Sequence, residues 1–124
     1  APLKPHLDKI YAAASHDDLM KLFGSIHHQG PAGFGIIPDP ADTTRYIAFV
    51  GQAGIGLPDR DYYLKTDGKF PEYRDAYRAY IGKIFDLAGI EGGAAKADAI
   101  LAFETKIAEV HWTQEDSRNI QKIY

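Results

Sequence analysis

Apolar side chains recur at steps of three and four residues along several stretches of the chain, which places them on one face of a helix. Leu7, Ile10 and Tyr11 mark a helix over 3–14, with Pro5 in the first turn, where a missing N–H is tolerated. Leu19, Leu22, Phe23 and Ile26 mark a second over 16–29, closed by Gly30-Pro31. Ser15 followed by Asp18 gives this helix a capping signature, and Asp17 adds favourable charge at its start. Tyr73, Ala76, Tyr77, Tyr80, Ile81, Ile84 and Phe85 predict a helix over 71–88, started by Pro71 and stopped by Gly89 in the left-handed region with Ile90 packing back. Ala97, Ile100, Leu101, Ile107 and Ala108 predict another over 94–111. The short Glu91-Gly92-Gly93 link makes these two an antiparallel helical hairpin. Thr113 and Asp116 cap a last helix over 114–123.

Between the second and third helices the period changes. Residues 34–38 and 44–52 are rich in β-branched and aromatic side chains and flank the turn chemistry of Asp39-Pro40-Ala41-Asp42. They predict one short antiparallel β-hairpin in a mainly α, multi-helix chain. Arg45, Ile47 and Phe49 fall on one face of the second strand; Tyr46, Ala48 and Val50 fall on the other. Both faces carry apolar groups, so cover on both sides is expected. Two strands alone are marginal in water and need helices or a larger sheet.

Residues 52–64 fit neither period. Gly54 and Gly56 open backbone conformations closed to other residues, and Pro58 fixes its own φ and pushes Leu57 towards an extended shape. Asp59, Arg60 and Asp61 place two carboxylates around one guanidinium, and Tyr62, Tyr63 and Leu64 form a bulky block. This is the composition of a fixed corner between strand and helix. The sharper alternative is a binding loop that offers Arg60 to a carboxylate. Immediate neighbours rarely face one another, so the expected partner of Arg60 is a backbone carbonyl or a distant carboxylate. No Gly-x-x-x-x-Gly-Lys pattern is present, which excludes a phosphate loop of that type.

With 124 residues, 45% hydrophobic and 25% charged, the composition is that of one ordinary globular domain or less. The net charge of −3 gives no electrostatic reason to expect nucleic acid. Cysteine is absent, which removes disulfides, thiol catalysis and cysteine metal sites together. No apolar run reaches membrane-span length. The chain opens at Ala1 without Met or a leader-like segment, as expected of a trimmed or processed chain. Eight Tyr and six Phe against one Trp and one Met predict a core rich in rings, which makes core the preferred reading of the tyrosine stripe over an aromatic ligand cleft.

The candidate metal chemistry is thin. His6, His16, His27, His28 and His111 are the histidines; none precedes Glu and no two are four apart, so the His-Glu-x-x-His zinc motif is missing. His27 and His28 are adjacent, point in different directions on a helix, and are best placed to favour its C-terminus. Glu104 and His111, seven apart, share a helix face, but two ligands make a poor zinc site and a hydrogen-bonding role is preferred. No catalytic and no metal-binding residue is therefore assigned.

The run Gly-Ile-Gly-Leu-Pro-Asp-Arg-Asp-Tyr-Tyr-Leu, residues 54–64, resembles the Gly-Leu-Pro-x-Arg-Asp-Tyr-Tyr signature in the N-terminal region of the neprilysin and endothelin-converting-enzyme family of zinc metallopeptidases, bacterial oligopeptidases included. Upstream, Asp42 and residues 46–52 resemble the strand leading into that signature. Downstream, Phe103-Glu104-Thr105-Lys106-Ile107-Ala108 resembles its Leu-Glu-x-x-Ile-Ala helix, and His111-Trp112-Thr113 with residues 118–124 resembles a segment that runs on in the family. The resemblance implies that 1–124 is a fragment of the mostly helical cap region, without the catalytic zinc domain. It makes Gly54, Gly56, Leu57, Pro58, Arg60, Asp61, Tyr62 and Tyr63 a structural signature. It also implies zinc and peptide substrates for the parent and a location outside the cytoplasm; the fragment itself, without the zinc motif, is expected to hold no cofactor and to hydrolyse no peptide. The partners expected are the remainder of the peptidase chain, and a second copy through an exposed apolar patch. The competing class is a free-standing helical binding or scaffold domain with only local similarity.

Overall fold

The elements follow one another as α1 (Lys4–Ala12), α2 (His16–Phe23), β1 (Ala32–Asp39), β2 (Asp42–Gln52), α3 (Asp61–Leu64), α4 (Phe70–Leu87), α5 (Gly93–Val110), α6 (Gln114–Ser117) and α7 (Ile120–Ile123). This computed structural model describes residues 2–25, 28 and 30–123. The fold is mainly helical with one two-stranded antiparallel sheet, as the sequence predicts. It divides into two compact units, Ala1–Gly54 and Ile55–Tyr124, each described here by itself. Among the described residues, no helix is long and apolar enough to cross a membrane.

In the first unit α2 is capped as its sequence indicates. Ser15 Oγ accepts from the Asp18 N–H at 3.1 Å, and the Asp18 carboxylate accepts from the Ser15 hydroxyl at 2.7 Å and the Ala14 N–H at 3.2 Å. The Ser15 hydroxyl bond holds the Asp18 carboxyl below its usual range. The helix stops at Phe23, well short of the expected residue 29. The reason is local competition: the Ser25 hydroxyl donates to the Leu22 carbonyl at 2.7 Å and so satisfies a group that another helical turn would have used. With the hydroxyl proton committed there, the 2.9 Å contact between Ser25 Oγ and His28 Nδ1 is one in which the imidazole donates. His28 thus sits beyond the helix; Ile26 and His27 lie outside the described residues.

The hairpin pairs Phe34 with Val50, Ile36 with Ala48, Ile37 with Ile47 and Pro38 with Tyr46, with an irregularity between Pro38 and Asp39. The Asp39 side chain, fully buried, accepts from the Ala41 N–H at 2.9 Å and from Arg45 Nε at 2.8 Å. A carboxylate taken out of water survives by pairing, and here the pairing fixes the turn. Cover on both faces of the sheet is the expectation that fails. Ile37, Ile47 and Phe49 are half-buried, but Phe34, Ile36, Tyr46 and Val50 are exposed. Among its described residues the first unit supplies no second layer for that side, and neither α1 nor α2 contains a buried residue.

In the second unit α4 and α5 form the predicted antiparallel pair. Gly89, at φ +70°, ends α4 in a Schellman arrangement: the Ile90 N–H donates to the Phe85 carbonyl at 2.9 Å and the Gly89 N–H to the Asp86 carbonyl at 3.0 Å. Tyr63, Leu101 and Ala108 are the centre of the core, with Ile55, Leu57, Tyr62, Leu64 and Tyr77 packed against it. The tyrosine stripe of α4 splits. Tyr77 is half-buried and Ile81 buried, whereas Tyr73, Tyr80, Ile84 and Leu87 face solvent. The single last helix expected over 114–123 is two short ones, α6 and α7. Thr113 caps the first by accepting from the Asp116 N–H at 3.1 Å. Asn119 Oδ1 accepts from the Gln121 N–H at 3.1 Å, a side-chain cap that restarts the helix rather than continuing it.

The start of α5 lies close against α4. A β-carbon at Gly93 would stand 2.8 Å from the Gly82 carbonyl oxygen, a backbone atom that cannot swing aside. Gly93→Ala is therefore expected to lower stability by about 1–3 kcal/mol through overpacking. Chemical denaturation checks this; an unchanged midpoint would mean that the helices do not meet at this distance.

Candidate functional site

Within the second unit two of the signature residues, Gly56 and Tyr63, meet on one carboxylate. Glu104 lies on the face of α5 that carries Leu101 and Ala108, three residues before it and four after. Its Oε2 accepts from the Tyr63 hydroxyl at 2.6 Å and from the Gly56 N–H at 3.2 Å. Its Oε1 accepts from the Tyr77 hydroxyl at 3.1 Å. The Tyr63 oxygen in turn accepts from the Gly56 N–H at 3.0 Å and the Leu57 N–H at 2.8 Å. One hydroxyl donor and two acceptor positions are all that a phenol offers, and Tyr63 uses them all. Gly56 owes its identity to this crowding, since a β-carbon there would come 2.0 Å from the Tyr77 oxygen.

The rest of the signature braces the same corner. Arg60 Nε donates to the Ala108 carbonyl at 3.3 Å, joining the start of α3 to the last turn of α5. Among the described residues no ion pair joins Arg60 to Asp59 or Asp61. Asp59 accepts from the Asp61 N–H at 2.8 Å and from Gln114 Nε2 at 2.6 Å, while Asp61 pairs with Lys65 at 2.8 Å. Tyr62 packs edge-on against Phe70, ring centroids 5.3 Å apart. Arg74, which the sequence reading passed over, closes α3 by donating to the Tyr62 carbonyl at 2.8 Å and the Lys65 carbonyl at 2.7 Å. Pro58 and Leu57 carry the chain across the corner, and Gly54, at φ +85°, belongs to the first unit.

This arrangement holds rather than reacts. Burial, reinforced by the hydrogen bond to Glu104, pushes the Tyr63 phenol far above its usual value. Burial together with the Glu104 charge pushes Tyr77 up to about 12. Both phenols keep their protons across the neutral range, so neither is poised for acid or base catalysis. His111 is buried at the end of α5, where its N–H donates to the Ile107 carbonyl at 3.2 Å. Among the described residues no cluster of three or more His, Cys, Asp or Glu side chains could hold a metal. The open cleft of about 530 Å³ beside Tyr63 is lined by Arg74, Arg78, Asp98, Leu101 and Thr105. Arg78 is engaged by Asp98 at 2.7 Å, and Arg74 by the two carbonyls.

Tyr63→Phe takes the Leu57 amide's partner away and leaves the Gly56 amide and Glu104 Oε2 only each other, and it is expected to cost about 1–3 kcal/mol. Arg60→Lys loses a longer bond to a half-buried group and should cost less, about 1 kcal/mol. Equilibrium unfolding of both variants tests the ranking, and a larger loss for Arg60→Lys would reverse the roles given to them. The tyrosines also set an alkaline limit. A phenol raised from 10.0 in the unfolded chain to about 12 in the native one retains a proton that the unfolded state has lost. Its stabilising contribution is complete below pH 10.0 and drains away as pH climbs towards 12. Spectroscopic tyrosine titration should find Tyr63 and Tyr77 ionising late, with unfolding. Ionisation of all eight tyrosines in one step near their ordinary value would contradict the burial.

Comparison with known proteins shows the family to which the chain is similar. The model of peptidase family M13 for its N-terminal region matches residues 1–124. Neprilysin-1 of Caenorhabditis elegans is 35% identical over 101 residues, covering 73% of this chain and 13% of its own length. An endothelin-converting enzyme homolog of Locusta migratoria is 34% identical over 88 residues, covering 69% of this chain and 12% of its own. The zinc metalloprotease Zmp1 of Mycobacterium tuberculosis, solved with an inhibitor, superimposes with a TM-score of 0.82 at 32% identity over 97% of this chain and 19% of that one. Its open state gives 0.83 at 33% identity. The chain thus spans about a fifth of the solved relatives and less of the curated ones. It belongs to peptidase family M13, the neprilysin and endothelin-converting-enzyme family, and corresponds to the N-terminal domain of that family.

Proposed function

We propose that this chain is the non-catalytic N-terminal part of a zinc metalloendopeptidase that hydrolyses oligopeptides, and that it helps form the helical cap enclosing the substrate cleft. The observation that carries the reading is the family match along the whole of 1–124, combined with solved zinc metalloproteases of which these residues make up only 19%. The sequence has no His-Glu-x-x-His, so the zinc and the general base belong to other residues of the parent. The signature corner supports a scaffold role, because its carboxylate and both its phenols are spent on one another and on backbone amides. Exposed Phe34, Ile36, Tyr46 and Val50 fit a segment that packs on further polypeptide, since apolar patches of this kind mark interaction surfaces. The partners are the remainder of the same peptidase and, through it, peptide substrates. A location of the parent outside the cytoplasm is part of this proposal and rests on family resemblance alone.

The 124-residue chain is expected to hydrolyse no peptide and to bind no stoichiometric zinc, whereas the longer parent cleaves a short peptide until a chelator removes its metal. Parallel assays with metal analysis decide the matter. Chelator-sensitive cleavage by the short chain, or a parent without hydrolytic activity, would overturn the proposal.

A further inference from the structure

The antiparallel register brings three apolar pairs to one face of the β1–β2 hairpin: Phe34 opposite Val50, Ile36 opposite Ala48, and Pro38 opposite Tyr46. Side chains two apart on a strand share a face, so these six form one continuous strip without a charge, the Tyr46 hydroxyl being its one polar side-chain group. Its large members are open to solvent: Phe34 is 75% exposed, Ile36 78%, Tyr46 72% and Val50 62%. The opposite face, with Ile37, Ile47 and Phe49, is half-buried. Asp39 and Arg45 fix the turn end, so the strip is held at a set register rather than on a loose ribbon. An apolar sheet face of this kind is normally covered, and a two-stranded ribbon is marginal until it is.

Two observations choose the occupant. The solved zinc metalloproteases contain the fold of 97% of this chain at a TM-score of 0.82, yet 81% of their length (100 less 19) lies outside the match. A second copy is a poorer fit, because a stable protein interface engages roughly 20–30 residues a side and the strip has far fewer. We infer that this face seats an uncharged segment of the M13 polypeptide from outside residues 1–124, with aliphatic and aromatic side chains laid across Phe34, Ile36, Tyr46 and Val50. The inference rests on reading the chain as part of a longer peptidase and deepens it by naming the docking surface.

The test uses the parent chain with Phe34 or Tyr46 replaced, one at a time, by the photo-crosslinking amino acid p-benzoylphenylalanine. Irradiation of the folded parent, followed by peptide mapping, should join either position to a peptide outside residues 1–124 of the same molecule, and denaturant should abolish that product. Crosslinks confined to residues 1–124, crosslinks to a second copy, or no crosslink at either position would each overturn the proposal. Chelator-sensitive hydrolysis is measured separately on the unsubstituted parent, so loss of the peptidase reading and loss of the docking surface give different results.

Discussion

The corner that opens the second unit depends on one carboxylate. Glu104 reaches from the middle of α5 to a loop 48 residues earlier and gathers the Gly56 amide and the two phenols of Tyr63 and Tyr77. A charge at this depth is tolerable because three donors meet it, and each donor would be costly to bury without it. The bond from Arg60 to the Ala108 carbonyl adds a second tie one turn further along α5. Between them these ties position Tyr62, Tyr63 and Leu64 so that their rings and methyls close the core against Leu101 and Ala108. The polar network sets the register of the corner, and the apolar contacts supply the bulk of its stabilisation.

The same chain leaves much of its apolar surface without a partner. On α4 the rows containing Tyr73, Tyr80, Ile84 and Leu87 face outward, and so does one side of the hairpin. In a self-sufficient domain such side chains would be a liability. The chain covers about a fifth of the solved relatives, and under the proposed function these faces are the ones further polypeptide would cover. The division of labour within the chain is that hydrogen bonds fix the internal corner while these apolar faces stay exposed.

Long periodic helices were legible in the sequence because many residues vote for them; α4 and α5 lie within a residue of the expected limits. The hairpin was legible from its turn and its β-branched strands. Helix ends decided by one side chain were not. The Ser25 hydroxyl shortens α2 and Asn119 divides the last helix, and neither residue breaks the apolar period that predicted continuation. The signature residues stood out by their Gly, Pro and aromatic content, but the group they converge on did not. Glu104 was visible as a carboxylate on a buried face, and its partners 41 and 27 residues away were not. Cover on both faces of the sheet was misjudged because an apolar pattern shows which side chains could be buried and not what lies against them.

The claim that Glu104 and Tyr63 act as one unit is tested most directly by a double-mutant cycle. Stabilities of the unsubstituted chain, Tyr63→Phe, Glu104→Ala and the double variant are measured by equilibrium unfolding. The account predicts a coupling of about 1–3 kcal/mol, because the Tyr63–Glu104 bond is lost in either single variant and can be lost only once. Strict additivity, with a coupling indistinguishable from zero, would contradict it and leave the corner held by apolar packing alone.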